Sequence, residues 1–285
     1  MNLIDQLQNH ACEASCKIAF KAHRELLGVT CKKCQSTDQH WNERKSFWRC
    51  GNCDFKTTLK SGTALQHTKM PFKTWFQVVA LMSSTTKGFS AKEVQIKMKH
   101  KRYEPIWYMM HKIRTQMGKN VMFFDDIEHL FKAEIPGILH ENEVSQNQLV
   151  SREIQVETVT LKCLSLQKGM TQIKGIRMRH LKAESDLNKE IKVKRKPILQ
   201  TFGTNPKRKS SKENIQKQSK STLFAFNCLD NLKRILYEIH HQVKCQYLQN
   251  YLDEFCYKFN RKDTLEFGYD EIWQYLIMPK RSLNL

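Results

Sequence analysis

Residues 31–53 read CKKCQSTDQHWNERKSFWRCGNC. Two C-x2-C pairs, Cys31 with Cys34 and Cys50 with Cys53, are separated by 15 residues, which is the spacing of a tetrahedral zinc ribbon. Two residues between cysteines let a tight turn bring both sulfurs to one ion. The intervening stretch, with Trp41, Phe47 and Trp48, is long enough for a two-stranded hairpin that carries the second pair. Gly51, directly after Cys50, is expected to supply a left-handed backbone conformation in the second turn. Four thiolate ligands leave no open coordination position, so the ion holds a fold and does not catalyse. Four unrelated buried thiols would leave this spacing unexplained.

Outward from the ribbon, the chain of 285 residues (33.8 kDa) has a formal net charge of +20 and a sequence pI near 9.5. A field of that sign and size favours polyphosphate partners. No apolar run approaches the roughly 20 residues of a membrane-spanning helix, and Asp5, His10 and Glu13 interrupt any secretory signal. A cytoplasmic, nucleoid-associated protein with no membrane partner is expected. Cys12, Cys16, Cys163, Cys228, Cys245 and Cys256 lack paired spacing and read as free thiols of a reducing compartment. Cys12 and Cys16 beside His10 could form a second metal site, but core positions on one helix face is the simpler reading. Residues 1–120 carry 21 Lys and Arg against 8 Asp and Glu, so the basic footprint centres there. A second basic run at 192–220 has ten Lys or Arg and one acid, Glu213. It reads as an exposed loop, either solvated or touching a phosphate backbone.

Residues 3–27 have the periodicity of an amphipathic helix or helix pair. After the ribbon come three helical segments. Pro71 opens the first, which carries Trp75, Phe76, Val79 and Leu81 and ends at Gly88. Ser90 begins the second, with Glu93 completing a capping box. The third starts near Tyr103 and runs to Met117-Gly118, with Pro105 in its first turn, where amide hydrogens lack partners anyway. Short helices joined by Lys97-Met98-Lys99-His100-Lys101-Arg102 match a helix-turn-helix unit over 70–118. Its third helix would be the reader. Lys97, Lys99, Lys101, Arg102, Tyr108, His111, Lys112 and Arg114 are the expected DNA contacts, a plain helical bundle with a charged face being the alternative.

Further on, Val121–Phe124 before Asp125-Asp126 could be a strand ending in carboxylates. Segments 153–164 and 171–181 alternate as half-buried strands do, around a turn at Gly169. Residues 226–236 and 245–259 return to helix, the latter with an aromatic core stripe. Strands followed by helices argue for an α+β or α/β domain over 121–280.

The segment from Cys31 through KSGTALQHTKMPFKTWFQVVALMSSTTKGFSAKEVQIKMKHKRYEPIWYMMHKIRTQMGK (60–119) resembles the amino-terminal part of bacterial insertion-sequence transposases of the ISXO type. The run NLKRILYEIHHQVKCQYLQNYLDEFCYKFNRK (231–262) resembles the end of that family's catalytic domain. The resemblance implies a multidomain α+β protein. A helical segment (1–30), a zinc ribbon (31–60) and a helix-turn-helix (70–118) would precede a ribonuclease-H-like mixed α/β domain (121–280, with basic loop 192–220).

In such a domain two aspartates and a third polar residue hold two Mg2+ ions, which stabilise the entering and leaving oxygens of in-line attack at phosphorus. At the positions that the resemblance assigns to these residues, 131–138 offers only Glu134, the second falls on Phe202 and the third on Phe226. Lys233 matches the family's lysine. Asp125 and Asp126, with Asp186 and Asp230, are the acids that could stand in. The expectation is therefore a transposase-family protein that binds double-stranded DNA at element ends, with structural Zn2+, impaired strand transfer, and Mg2+ only if catalysis survives. A homo-oligomer is compatible with this. The alternatives are an active metal-dependent DNA transposase and a zinc-ribbon transcription or RNA-binding factor.

Overall fold

The computed structural model describes residues 12–119, 129–136, 156–165, 173–181, 198–202, 220–241, 243–261 and 268–278. In chain order the elements are α1 (Glu13–Leu26), β1 (Gln39–Asn42), β2 (Phe47–Cys50), β3 (Lys56–Thr58), α2 (Phe72–Ser83), α3 (Ala91–Lys97), α4 (Tyr103–Lys119), β4 (His129–Pro136), β5 (Val156–Ser165), β6 (Ile173–Leu181), β7 (Ile198–Phe202), α5 (Lys220–Arg234), α6 (Leu248–Asn260) and α7 (Gly268–Ile277). A π-helical turn, Ile235–Ile239, extends α5, and a 3-10 turn, Cys245–Tyr247, leads into α6. Mixed α and β content is the coarse part of the expected fold class. The chain divides into two compact units, 1–120 with 263–285, and 121–262.

Local chemistry explains the helices of the first unit. In α1, Cys16, Phe20 and Arg24 recur every four residues and are buried, giving one inward stripe. Helix α2 is apolar nearly all round, with Trp75, Phe76, Val78, Val79, Ala80 and Met82 buried, as suits a helix surrounded by protein. Pro71 provides no side-chain cap for α2. Its first amides, those of Phe72 and Lys73, donate instead to the two carboxylate oxygens of Glu13 in α1 (3.0 and 2.9 Å), so an anion from another helix satisfies the amino-terminal donors. The expected capping box of α3 is present: Glu93 N donates to Ser90 Oγ at 3.2 Å and Ser90 N to Glu93 Oε2 at 2.7 Å. Helix α2 stops at Ser83 rather than Gly88, whose φ of +85° belongs to the connection that follows.

The core of this unit is closed by α7. Tyr269, Ile272, Trp273, Leu276 and Ile277 are buried at helical spacing, and α7 packs on α1, α2 and α4. The Trp273 indole lies 4.2 Å from the Phe76 ring and 5.9 Å from Phe20, which in turn is 4.9 Å from Phe72. Ala64 N donates to Leu276 O at 2.8 Å, occupying one of the carbonyls that every helix leaves open at its carboxyl end. The expectation of one domain spanning 121–280 is corrected here, because 263–285 belongs with the amino-terminal unit. Helical periodicity at 269–277 is local, but its destination is set by an aromatic core of Phe20, Phe72 and Phe76, far earlier in the chain.

In the second unit four strands lie in the order β6-β5-β4-β7. β4, β5 and β6 are antiparallel, whereas β7 runs parallel to β4, with Ala133 opposite Phe202. Strands thus form over most of the expected spans 153–164 and 171–181, β5 starting three residues later and ending one later and β6 starting two later. Within the run 192–220, read as a loop, Ile198–Phe202 is strand β7, its apolar residues finding a sheet partner. Residues 121–126 and Gly169 lie outside the described residues. Helix α6 packs on β6. Asn260 accepts from Ile176 N at 2.8 Å and donates to Ile176 O at 3.0 Å, and Gln249 donates to Met178 O at 3.2 Å. Side-chain amides therefore satisfy main-chain groups that β5 does not pair. The core here gathers Ile176, Met178, Leu232, Leu236, Leu248, Leu252 and Phe255, so the aromatic stripe expected over 245–259 does turn inward.

Trp273→Ala should cost about 3–5 kcal/mol of stability, the range for deleting a fully buried large aromatic. Denaturant unfolding of the full chain, followed through the amino-terminal unit, checks this. Glu13→Ala should cost about 1–3 kcal/mol by stranding two amides, and the same measurement reads it.

Candidate metal centre and nucleic-acid surface

The ribbon is a three-stranded sheet, β1-β2-β3, antiparallel throughout. Two equivalent turns present the cysteines. In the first, Cys31 N donates to Ser36 O and Gln35 N to Cys31 O, both at 2.9 Å; in the second, Cys50 N donates to Phe55 O at 3.1 Å and Asp54 N to Cys50 O at 3.0 Å. The left-handed residue of each turn follows the second cysteine, Gln35 with φ 61° and Asp54 with φ 56°. Gly51 does not carry it, and that expectation is corrected. A Cβ at Gly51 would instead run into the Asp38 carboxylate, and Gly51 N donates to Asp38 O at 3.0 Å. Glycine is there for close approach between the two turns.

The turns converge the four sulfurs. Cys31 Sγ lies 3.5 Å from Cys53 Sγ, Cys34 Sγ lies 3.5 Å from Cys50 Sγ, and all four ligand atoms fall within 4.8 Å of one another. Tetrahedral coordination with metal–sulfur bonds near 2.3 Å puts sulfurs about 3.8 Å apart, so the cluster can hold one metal ion. Lys33 N points at Cys31 Sγ at 3.4 Å, a donor that favours thiolate. Burial opposes ionisation of Cys50, but the amides of Cys53 and Asn52 and the neighbouring thiols outweigh it and bring Cys50 down to about 6. At Cys53 the Phe55 amide favours thiolate, yet burial and the other three sulfurs push it up to about 12. Packed this closely, four thiolates do not coexist without a counter-cation. A soft, four-sulfur donor set is the one that suits zinc.

The inner face of the ribbon sheet rests on α1. Trp41 and Trp48 pack ring to ring at 4.6 Å, Lys21 lies 5.1 Å above Trp41 and Arg24 lies 4.9 Å from Trp48. Arg24, 8% exposed, also donates to Thr58 O and Leu59 O at 2.8 and 2.7 Å. Burial lowers it to about 10.

Of the residues expected to meet DNA, Lys97, Lys99, Lys101, Arg102 and Tyr108 are exposed. Their connection is well braced: Gln95 Nε2 donates to His100 O at 3.0 Å, His100 Nδ1 sits 2.8 Å from Arg102 O, and Lys97 lies 5.4 Å over the Phe89 ring. The other three expectations are corrected. His111 is 7% exposed and Arg114 fully buried, while Lys112 donates to the main-chain oxygens of Ala64 and Gln66, both at 3.1 Å. Helix α4 packs against α2, α3 and α7, and at His111 and Arg114 the side expected to face outward is packed in protein. Cys16 is buried as expected, and Cys12 is exposed and caps α1. Among the catalytic candidates, Lys233 is half-buried in α5, Asp230 is exposed on it, and Phe226 is 55% exposed. Asp125, Asp126 and Asp186 lie outside the described residues.

Compared with models of known families, with curated proteins and with solved structures, the chain matches none. Among the described residues no helix is long and apolar enough to cross a membrane.

The purified chain should carry one zinc ion per molecule, measured by elemental analysis, and lose it with Cys50→Ser. A small ribbon draws its stability from the ion, so chelation should melt the 31–58 region. Absence of zinc from freshly reduced protein would overturn the assignment.

Proposed function

We propose that this chain is a transposase-related protein that binds duplex DNA through the amino-terminal unit, with zinc as a structural ion and without strand-transfer activity. The observation that carries the reading is the braced, exposed cationic connection 97–102 between α3 and α4, in the same compact unit as a four-sulfur ribbon. Cations held outward on a rigid turn neutralise phosphates at low entropic cost. Tyr108, 62% exposed on α4, adds an exposed aromatic ring on the helix that follows them.

The second unit supports descent from a ribonuclease-H-like domain. Three antiparallel strands, with a fourth parallel to the first, form the kind of mixed sheet that this reading calls for; β7 ends at Phe202 opposite Ala133, and β4 runs on to Pro136. In the family resembled, metal-binding carboxylates stand at those two ends. Here the corresponding stretches are Glu134-Ile135-Pro136 and Thr201-Phe202. One carboxylate and a phenyl ring cannot supply the hard oxygen ligands that two magnesium ions need, and Lys233 cannot hold a cation. The domain is accordingly assigned a structural or DNA-contacting role.

The full chain should bind duplex DNA with a steep salt dependence. Lys97→Ala, Lys99→Ala, Lys101→Ala and Arg102→Ala should each flatten the slope by about 0.9 per lost phosphate contact. Arg114→Ala should act on the unfolding midpoint first. Binding that ignores salt, or four silent substitutions, would overturn the reading. With Mg2+ or Mn2+ no nicking above background is expected; nicking abolished by Asp125→Ala or Asp126→Ala would instead make the protein a working transposase.

A further inference from the structure

The ribbon sheet has a second face, which the contacts of α1 leave uncovered. Strand alternation and register place Gln39, Trp41, Trp48, Cys50 and Thr57 inward. They leave two rows outward: His40, Arg49 and Lys56 directly across from one another, and beside them Asn42, Phe47 and Thr58. His40, Arg49, Lys56, Asn42 and Thr58 are exposed and Phe47 is half-exposed. No acid stands on the face itself. Asp38 and Asp54 lie at its margin and pair with His40 (3.1 Å) and Arg49 (2.7 Å), yet the Arg49 side chain keeps 59% of its surface open to solvent. Lys56 Nζ hangs 5.5 Å from the centre of the Phe47 ring.

One aromatic ring, flanked by cations and by short hydrogen-bonding side chains on a flat sheet, is the surface that holds an unpaired nucleotide. The base stacks on the ring whatever its identity, and the backbone runs along the cations. A duplex offers no exposed base face to such a ring. We propose that the outer face of the ribbon sheet binds single-stranded DNA, with Phe47 as the stacking surface and Arg49 and Lys56 as phosphate contacts, an inference that rests on the DNA-binding reading above. The protein then has two separable nucleic-acid surfaces, the 97–102 connection for duplex and the ribbon for an unpaired strand.

The test uses the zinc-loaded full chain and two fluorescent probes, oligo(dT) and a blunt duplex of mixed sequence. Phe47→Leu, which keeps an apolar side chain but removes the ring, should weaken oligo(dT) binding about tenfold with zinc content and unfolding midpoint unchanged. Arg49→Ala and Lys56→Ala should each weaken it several-fold and flatten its salt slope by about 0.7 per contact. Duplex affinity should stay within twofold for all three, and Lys99→Ala should show the reverse pattern. The proposal is overturned if oligo(dT) does not bind, if Phe47→Leu is silent, if duplex binding falls in parallel, or if oligo(U) is clearly preferred to oligo(dT). Loss of duplex binding alone would count against the proposed function and leave this surface standing.

Discussion

The amino-terminal unit depends on a single indole. Trp273 is fully buried against Phe76 and Phe20, and it arrives on α7, which the chain supplies only after the whole second unit has been made. Helices α1, α2 and α4 have large apolar surfaces with α7 as their shared partner. Remove the indole and the inward stripe of α1 and the nearly all-round apolar surface of α2 lose the group that they converge on. The ribbon is tied to this closure, because the inward stripe of α1 continues from Phe20 to Arg24, which packs on Trp48 and donates to Thr58 O.

A second theme is how many cations of this basic chain serve the fold. Arg24 donates to two carbonyl oxygens, Lys60 donates to Thr68 O and Met70 O, and Lys112 to Ala64 O and Gln66 O. Each ties down main-chain carbonyls between the end of β3 and the start of α2, a stretch that is mostly irregular. Arg114 is buried altogether. Several of the cations counted in the net charge therefore serve packing, while Lys97, Lys99, Lys101 and Arg102 of the connection and Arg49 and Lys56 of the ribbon are exposed.

The ribbon shows the same division between local and distant causes. Its two turns repeat one hydrogen-bonding pattern at Cys31 and Cys50, and the pattern is written in the cysteine spacing. Gly51 looked like a conformational glycine, but its φ is not left-handed and the constraint is steric, set by Asp38 of the other turn. No local signal distinguishes these two uses of glycine. Likewise His111 and Arg114 of α4 read as solvent-facing from the sequence, yet they are buried by elements distant in the chain.

By itself the sequence determined what depends on neighbours a few residues apart. The metal-binding spacing of Cys31, Cys34, Cys50 and Cys53, the capping box of Ser90 and Glu93, the extents of α3, α4 and α6, and the strands at 156–165 and 173–181 all follow from turn chemistry, capping and side-chain period. Only the tertiary structure decided that α7 belongs to the first unit, that Glu13 caps α2 from another helix, that β7 lies parallel to β4, and that His111, Lys112 and Arg114 are structural. The physical reason is that burial is a property of which surfaces meet. A helix or strand announces its own period, but whether a polar stripe faces water or a partner is fixed by an element that can lie more than a hundred residues away.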